Sequence, residues 1–243
     1  PEKEWTAQWI GVPWQGETAL DELENKTPPP APLLRKTFQV TDGLKSARVW
    51  ISGLGYYELR LNGQKVGDEV LVPNQTNYDR RSGLMERPIP VEDNFTGYKV
   101  MYLSYDLTDL LKQGDNALGV ILGNGFYNAE QHWVKGYGSP RLLLQMQLEY
   151  EDGRKENIIS DPSWKVSRSA IVSDMIYQGE HYDARLEQPG WDTASFDDSK
   201  WEQAVLRKKP YGRLVAQNGP SDRVMERLQP QKIDKLGEGH YRI

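Results

Sequence analysis

Apolar residues along this chain recur mostly with a period of two. Leu142, Leu144, Met146, Leu148 and Tyr150 are separated by single residues, three of them polar, which predicts a strand with one buried face. The turn Asp152-Gly153 follows, and then a strand near 157–160. Tyr57, Leu59 and Leu61 alternate with Glu58 and Arg60, and Asn62-Gly63 comes next. Asn-Gly suits the positive φ values of a type I′ turn, so a hairpin is predicted there. The pattern is β-like from Leu33 onward, with further strands over 47–52, 100–106 and 117–122. Residues 107–111 read as a single helical turn. Trp5, Trp9 and Trp14 around Ile10 and Val12 read as an extended piece packed on a sheet. Residues 21–32, acidic and then proline-rich, read as a loop. Asp197-Asp198-Ser199-Lys200-Trp201 reads as a closing turn and anchor, and Trp50 and Trp164 as core.

Short strands punctuated by Gly, Asn and Asp, without a long amphipathic helix, predict an all-β fold. The expected architecture is an antiparallel β-sandwich of jelly-roll, galactose-binding-like type. Beyond the short basic run Arg207-Lys208-Lys209, read as a solvated turn, the pattern loosens into a strand or two leading elsewhere. Tyr241-Arg242-Ile243 reads as the middle of an element, so a truncated neighbouring β domain is expected there.

Composition narrows the function classes. The 243 residues carry 30 Lys+Arg against 35 Asp+Glu, a net charge of −5. With no basic block, nucleic acid and anionic membranes are poor partners. No run approaches ~18 apolar residues, so no membrane span is expected. Pro1-Glu2-Lys3-Glu4 is not a signal peptide. There is no cysteine, which excludes disulfides, thiol nucleophiles and Cys-type zinc sites. His132, His181 and His240 are scattered, without metal-ligand spacing. Phosphate-binding and nucleophile-elbow motifs are missing too.

Candidate chemistry lies in carboxylates and in two Asn/Asp loops. Glu180, Asp183 and Glu187 are close in sequence. A glycosidase, however, needs two carboxylates facing each other across a bond, about 5–9.5 Å apart. The simpler reading pairs Asp183 with Arg185 at a sheet corner. The loops 73–81, with Asn77 and Asp79, and 123–128, with Asn124, Phe126 and Asn128, would leave strand ends. Their side-chain oxygens suit calcium and sugar hydroxyls, and Phe126, Tyr127 or Trp133 could stack on a sugar face. The alternative is that Asn and Asp simply form turns.

The residues Ala47-Arg48-Val49-Trp50-Ile51, Gly55-Tyr56-Tyr57-Glu58-Leu59-Arg60-Leu61-Asn62-Gly63 and Val66-Gly67-Asp68 resemble the amino-terminal β-sandwich of bacterial α-L-rhamnosidases of glycoside hydrolase family 78. So do Tyr105-Asp106-Leu107-Thr108-Asp109-Leu110-Leu111, Gly123-Asn124-Gly125-Phe126-Tyr127-Asn128 and Phe196-Asp197-Asp198-Ser199-Lys200-Trp201, in the family's order. The resemblance covers roughly 33–206. It implies an extended segment over 1–32, the sandwich over 33–206, and over 207–243 a linker and the start of a second sandwich, where Arg223-Val224-Met225-Glu226-Arg227-Leu228 fits. It implies an inverting rhamnosidase whose catalytic carboxylates lie in an (α/α)6 barrel downstream, so no catalytic residue is assigned in this chain. The implied partners are an L-rhamnose-containing glycan and that barrel, with no nucleic acid, and a periplasmic or secreted location is favoured over a cytoplasmic one.

Some sandwiches of this type resemble a rhamnose-binding module in which calcium bridges protein and sugar. That nominates Asn77, Asp79, Asn124, Phe126, Asn128 and Trp133 for sugar, and Asp79 and Asn128 for calcium. Asn77 stands where the family often has Asp, and Phe126 where it often has Trp. A stand-alone carbohydrate-binding or cell-surface adhesion sandwich is the alternative.

Overall fold

The computed structural model describes residues 4–19, 27–79, 97–129 and 136–242. Its long strands are β2 (Pro32–Val40), β3 (Leu44–Leu54), β7 (Lys99–Asp106), β8 (Gly114–Leu122) and β9 (Arg141–Tyr150). Shorter ones are β1 (Ile10–Gly11), β4 (Tyr57–Leu61), β5 (Gln64–Lys65), β6 (Glu69–Val70), β10 (Lys155–Ile159) and β11 (Lys165–Arg168). They are followed by β12 (Ile171–Met175), β13 (Gly179–Tyr182), β14 (Glu202–Gln203), β15 (Val205–Leu206) and β16 (Arg213–Ala216). The last three are β17 (Asp222–Arg223), β18 (Asp234–Gly237) and β19 (His240–Arg242).

Two sheets carry the sandwich. One runs β15-β1-β9-β3-β7-β16 with β10 also on β9; the other runs β14-β11-β2-β8-β4-β5. The strands pair antiparallel, except that β16 lies parallel to β7. The expected antiparallel sandwich is therefore the fold. Strand β16 adds to its larger sheet, where the looser sequence pattern suggested only a strand leading elsewhere.

The alternation read from the sequence sets the layers. Val49 and Ile51 of β3 and Leu144, Met146 and Leu148 of β9 share one core with Leu34, Leu59 and Val120 of the other sheet and with Trp164, just before β11. Each such side chain, removed from water, stabilises the fold by roughly 1.5–3 kcal/mol. The predicted hairpin is β4–β5, with Asn62 at φ 50° and Gly63 at φ 87°. A side chain at the second position would meet the backbone strain that glycine avoids. The helical turn is a 3-10 turn over Thr108–Leu110. Trp164 is fully buried and donates its indole N–H to the Ile159 carbonyl at 2.8 Å.

Each sheet also buries part of its outer face. On the larger sheet, Trp9, Leu54, Val100, Leu143 and Leu214 gather with Tyr78 and Tyr127 in a second, smaller core. On the smaller sheet, residues 183–201 form a strap. Arg35 of β2, 1% exposed, holds it by donating to the carbonyls of Trp191 (2.9 Å) and Thr193 (2.7 Å) and pairing with Asp198. Trp201, the last residue of the strap, is buried and stacked on Trp191, as its reading as an anchor requires.

Two expectations need correction. Trp50 does not enter the core: its strand position points it to the outer face of the larger sheet, where it is half-buried. Arg207 is not a solvated turn residue. Its side chain is 8% exposed, and its guanidinium donates to the Val12 carbonyl at 2.7 Å, because β15 brings it against the amino-terminal segment. The pair Arg80-Arg81 and most of the sequence between Glu86 and Tyr98 lie outside the described residues.

Candidate functional site

The two Asn/Asp loops meet. Tyr78 of the first packs edge-to-face on Tyr127 of the second at 5.4 Å, and Tyr137 stacks on Tyr127 at 5.6 Å. Burial pushes the Tyr127 hydroxyl up to about 12; the Arg141 guanidinium, 5.4 Å over its ring, opposes the rise, and the Asp79 carboxylate adds to it.

Within the second loop the asparagines form a buried chain of hydrogen bonds. Asn124, 2% exposed, donates its side-chain amide to the Asp174 carbonyl (3.1 Å) and to Asp174 Oδ1 (3.0 Å), and its backbone N–H to Asp174 Oδ2 (2.7 Å). Asn128, 3% exposed, donates its side-chain amide to Asn124 Oδ1 at 2.8 Å. Asp174 lies on β12, opposite Glu180 of β13. Burial raises the Asp174 pKa above its ordinary value, and the bonds from Asn124 oppose the rise. The chain also needs a close backbone approach: a Cβ on Gly55 would sit 2.2 Å from the Asn124 carbonyl oxygen.

An aromatic cluster lies beside this chain. Phe126 is half-buried, edge-on to Tyr177 at 5.6 Å and to Tyr56 at 6.5 Å. Tyr177 is 42% exposed in the β12–β13 turn. Burial, helped by Asp222, pushes the Tyr56 hydroxyl up to about 12. The arrangement combines a rigid amide–carboxylate anchor with a partly exposed aromatic surface, which suits a polyhydroxylated ligand.

The structure thus brings Asn124, Phe126 and Asn128 together on one loop, with Asp79 next in the chain to Tyr78, whose ring meets Tyr127. Asn77 is exposed on the neighbouring loop and accepts from the Lys99 backbone N–H at 3.0 Å. Trp133 lies outside the described residues. Asp174 and Tyr177 were missed by the sequence reading. Only their positions on β12 and its turn bring them to the loop, and nothing in the local pattern signals that.

Calcium takes about six to eight oxygens. Among the described residues no three Asp, Glu or His side chains converge. The Asn124 amide is committed to Asp174 and Asn128. The nominated side chains alone, one carboxylate from Asp79 and one amide from Asn128, do not make a calcium cage.

The carboxylates flagged by the sequence also have structural duties. Asp183 caps a 3-10 turn and pairs with Arg185 at 2.6 Å, as the simpler reading held. Glu187 accepts from the Tyr182 hydroxyl. A cavity of about 550 Å³ beneath the strap is lined by Leu33, Ile121, Arg60 and Asp192, and the last two are ion-paired at 2.5 Å.

Residues 42–86 and 91–226 match the model of the alpha-L-rhamnosidase N-terminal domain. The chain belongs to that family. It is 35% identical over 219 residues to an alpha-L-rhamnosidase of Formosa agariphila, covering 87% of this chain and 21% of that protein. An alpha-L-rhamnosidase of Streptomyces avermitilis is 34% identical over 239 residues, 96% of this chain and 21% of its own length. Among solved structures, alpha-L-rhamnosidase from Dictyoglumus thermophilum superposes with a TM-score of 0.80 at 37% identity, over 99% of this chain and 25% of that one. The Streptomyces avermitilis enzyme complexed with L-rhamnose gives 0.74 at 31% identity, over 88% of this chain and 20% of that one. The chain therefore spans about a fifth to a quarter of the length of these relatives. Among the described residues, no helix is long and apolar enough to cross a membrane.

Proposed function

We propose that this chain is the noncatalytic amino-terminal region of an inverting α-L-rhamnosidase that releases terminal L-rhamnose from glycans or glycosides. The observation that carries the reading is the family match across 42–86 and 91–226. The superposition on rhamnosidases at TM-scores of 0.74–0.80 supports it. In this reading residues 1–32 lead into a sandwich over 33–206, residues 207–243 begin a second one, and a catalytic barrel follows. A periplasmic or secreted location is favoured over a cytoplasmic one.

The sandwich has two roles open to it. Exposed Met225 (90%) and Leu228 (80%) support a scaffold, because such side chains gain from a packed neighbour. The meeting of the two Asn/Asp loops supports a sugar site of Asn77, Asp79, Phe126 and Asn128, ordered from beneath by the committed amide of Asn124; Trp133, outside the described residues, joins it only through the family resemblance. Calcium would enter through oxygens of Asp79 and Asn128, completed by backbone and sugar oxygens.

Two measurements test this. The polypeptide extended through its downstream region is assayed on an aryl α-L-rhamnoside, with the anomer of released rhamnose read by NMR. Release of β-L-rhamnose is expected, and no release sinks the enzymatic reading. Calorimetric titration with L-rhamnose, with calcium and again with a chelator, then separates the roles. Calcium-dependent heat lost in Asp79→Ala assigns the sugar site; silence in both buffers leaves the scaffold.

A further inference from the structure

The outer face of the larger sheet carries a groove remote in sequence from the two Asn/Asp loops. Its volume is about 290 Å³, and Trp5, Trp50, Tyr102, Gln145, Gln147 and Asn157 line it with Glu4. Trp5, Trp50 and Tyr102 are all half-buried. Three large aromatic side chains gathered at a water-facing surface gain from being covered.

The groove is built rather than incidental. Trp50 stands opposite Gln145 and Ser104 in neighbouring strands, and Gln147 opposite Asn157. All project from the face opposite the core residues Val49, Ile51 and Met146. Trp5 comes from outside the sheet and is clamped on both sides by one side chain. Gln145 Oε1 accepts from the Thr6 N–H (2.8 Å), the Thr6 hydroxyl (3.1 Å) and the Ala7 N–H (3.3 Å), while Gln145 Nε2 donates to the Glu4 carbonyl (3.1 Å). The ring then meets Tyr102 edge-on, 5.5 Å between centroids and 70° between planes. Such pre-ordering removes part of the entropy cost of binding.

The groove's chemistry selects its ligand. Among the described residues its lining is aromatic and amide, with the single carboxylate of Glu4 and no cation. Gln145 is committed to the amino-terminal segment, and Gln147 Nε2 donates to Asn157 Oδ1 at 3.5 Å, so Gln147 Oε1 supplies the acceptor and Asn157 Nδ2 the donor that neighbouring hydroxyls need. Aromatic faces cover the C–H faces of a pyranose ring. We propose that this groove binds a neutral oligosaccharide chain, separately from the Asn/Asp loops.

The test titrates the 243-residue chain by calorimetry with cellohexaose, xylohexaose and mannohexaose, all in chelator, which silences any calcium-dependent site. At least one is expected to bind with a Kd below about 1 mM. Trp50→Ala and Trp5→Ala should weaken it about tenfold or more, while Asp79→Ala leaves it unchanged. Asn157 is exposed, so Asn157→Ala keeps the test decisive if a tryptophan variant does not fold, and it should also weaken binding. Silence with all three sugars overturns the proposal, as does an affinity unchanged in the groove variants. Binding of a hexaproline peptide in place of the sugars also overturns it, in favour of a peptide groove. Because Asp79→Ala and chelator report on the loops alone, failure here is distinguishable from failure of the loop site.

Discussion

Replacing Asn124 by alanine separates a structural asparagine from one that waits for a ligand. The change deletes two bonds donated to Asp174, one of them to its carboxylate, and one accepted from Asn128. A bond to a charged group contributes about 1.5–3 kcal/mol and a neutral one about 1 kcal/mol. At 2% exposure water does not replace them readily. Partial relaxation brings the expected loss to about 3 kcal/mol, or roughly 1–2 M in the urea midpoint. The loss should also depend on pH. Burial already places the Asp174 pKa above its unfolded value, so the folded state binds the proton more tightly, and stability falls as pH rises from about 3.9 through the folded pKa. Without the Asn124 amide the folded pKa rises further. The cost of Asn124→Ala should therefore be smaller at pH 4 than at pH 7. Urea unfolding followed by tryptophan fluorescence at both pH values measures this. A loss under about 1 kcal/mol, or equal losses at the two pH values, would refute the reasoning.

Three further outcomes are expected. Arg35→Ala strips the strap of its bonds to Trp191, Thr193 and Asp198, and should cost about 3–5 kcal/mol in chemical denaturation, since it breaks a buried ion pair. Gly119→Ala places a Cβ 2.8 Å from the Trp191 ring, so the strap must shift; a lowered Tm with increased protease cleavage between 183 and 201 is the expected signature, and an unchanged Tm would count against the packing described. In a spectrophotometric alkaline titration, the hydroxyls of Tyr56, Tyr105 and Tyr127, pushed up to about 12 by burial, should stay protonated at pH 10.5, where exposed tyrosines are largely ionised.

Local sequence determined the strands and their buried faces. Alternation at Leu142–Tyr150 and at Tyr57–Leu61 follows from the two-residue period of a strand, and Asn62-Gly63 from the φ values of its turn. The motifs of the family were legible for the same reason: they are runs of neighbours. Tertiary structure decided what covers each outer face, because a period of two distinguishes two faces without saying which neighbour each meets. Trp50 alternates with core residues, yet its face is lined by Trp5, which Gln145 holds in place from another strand. Arg35 is buried because the strap at 183–201 closes over it. Asn124 reads as a ligand-ready amide until Asp174 arrives from β12 and takes both its donors. Each of these depends on register and layer packing between residues far apart in sequence, which no local pattern encodes.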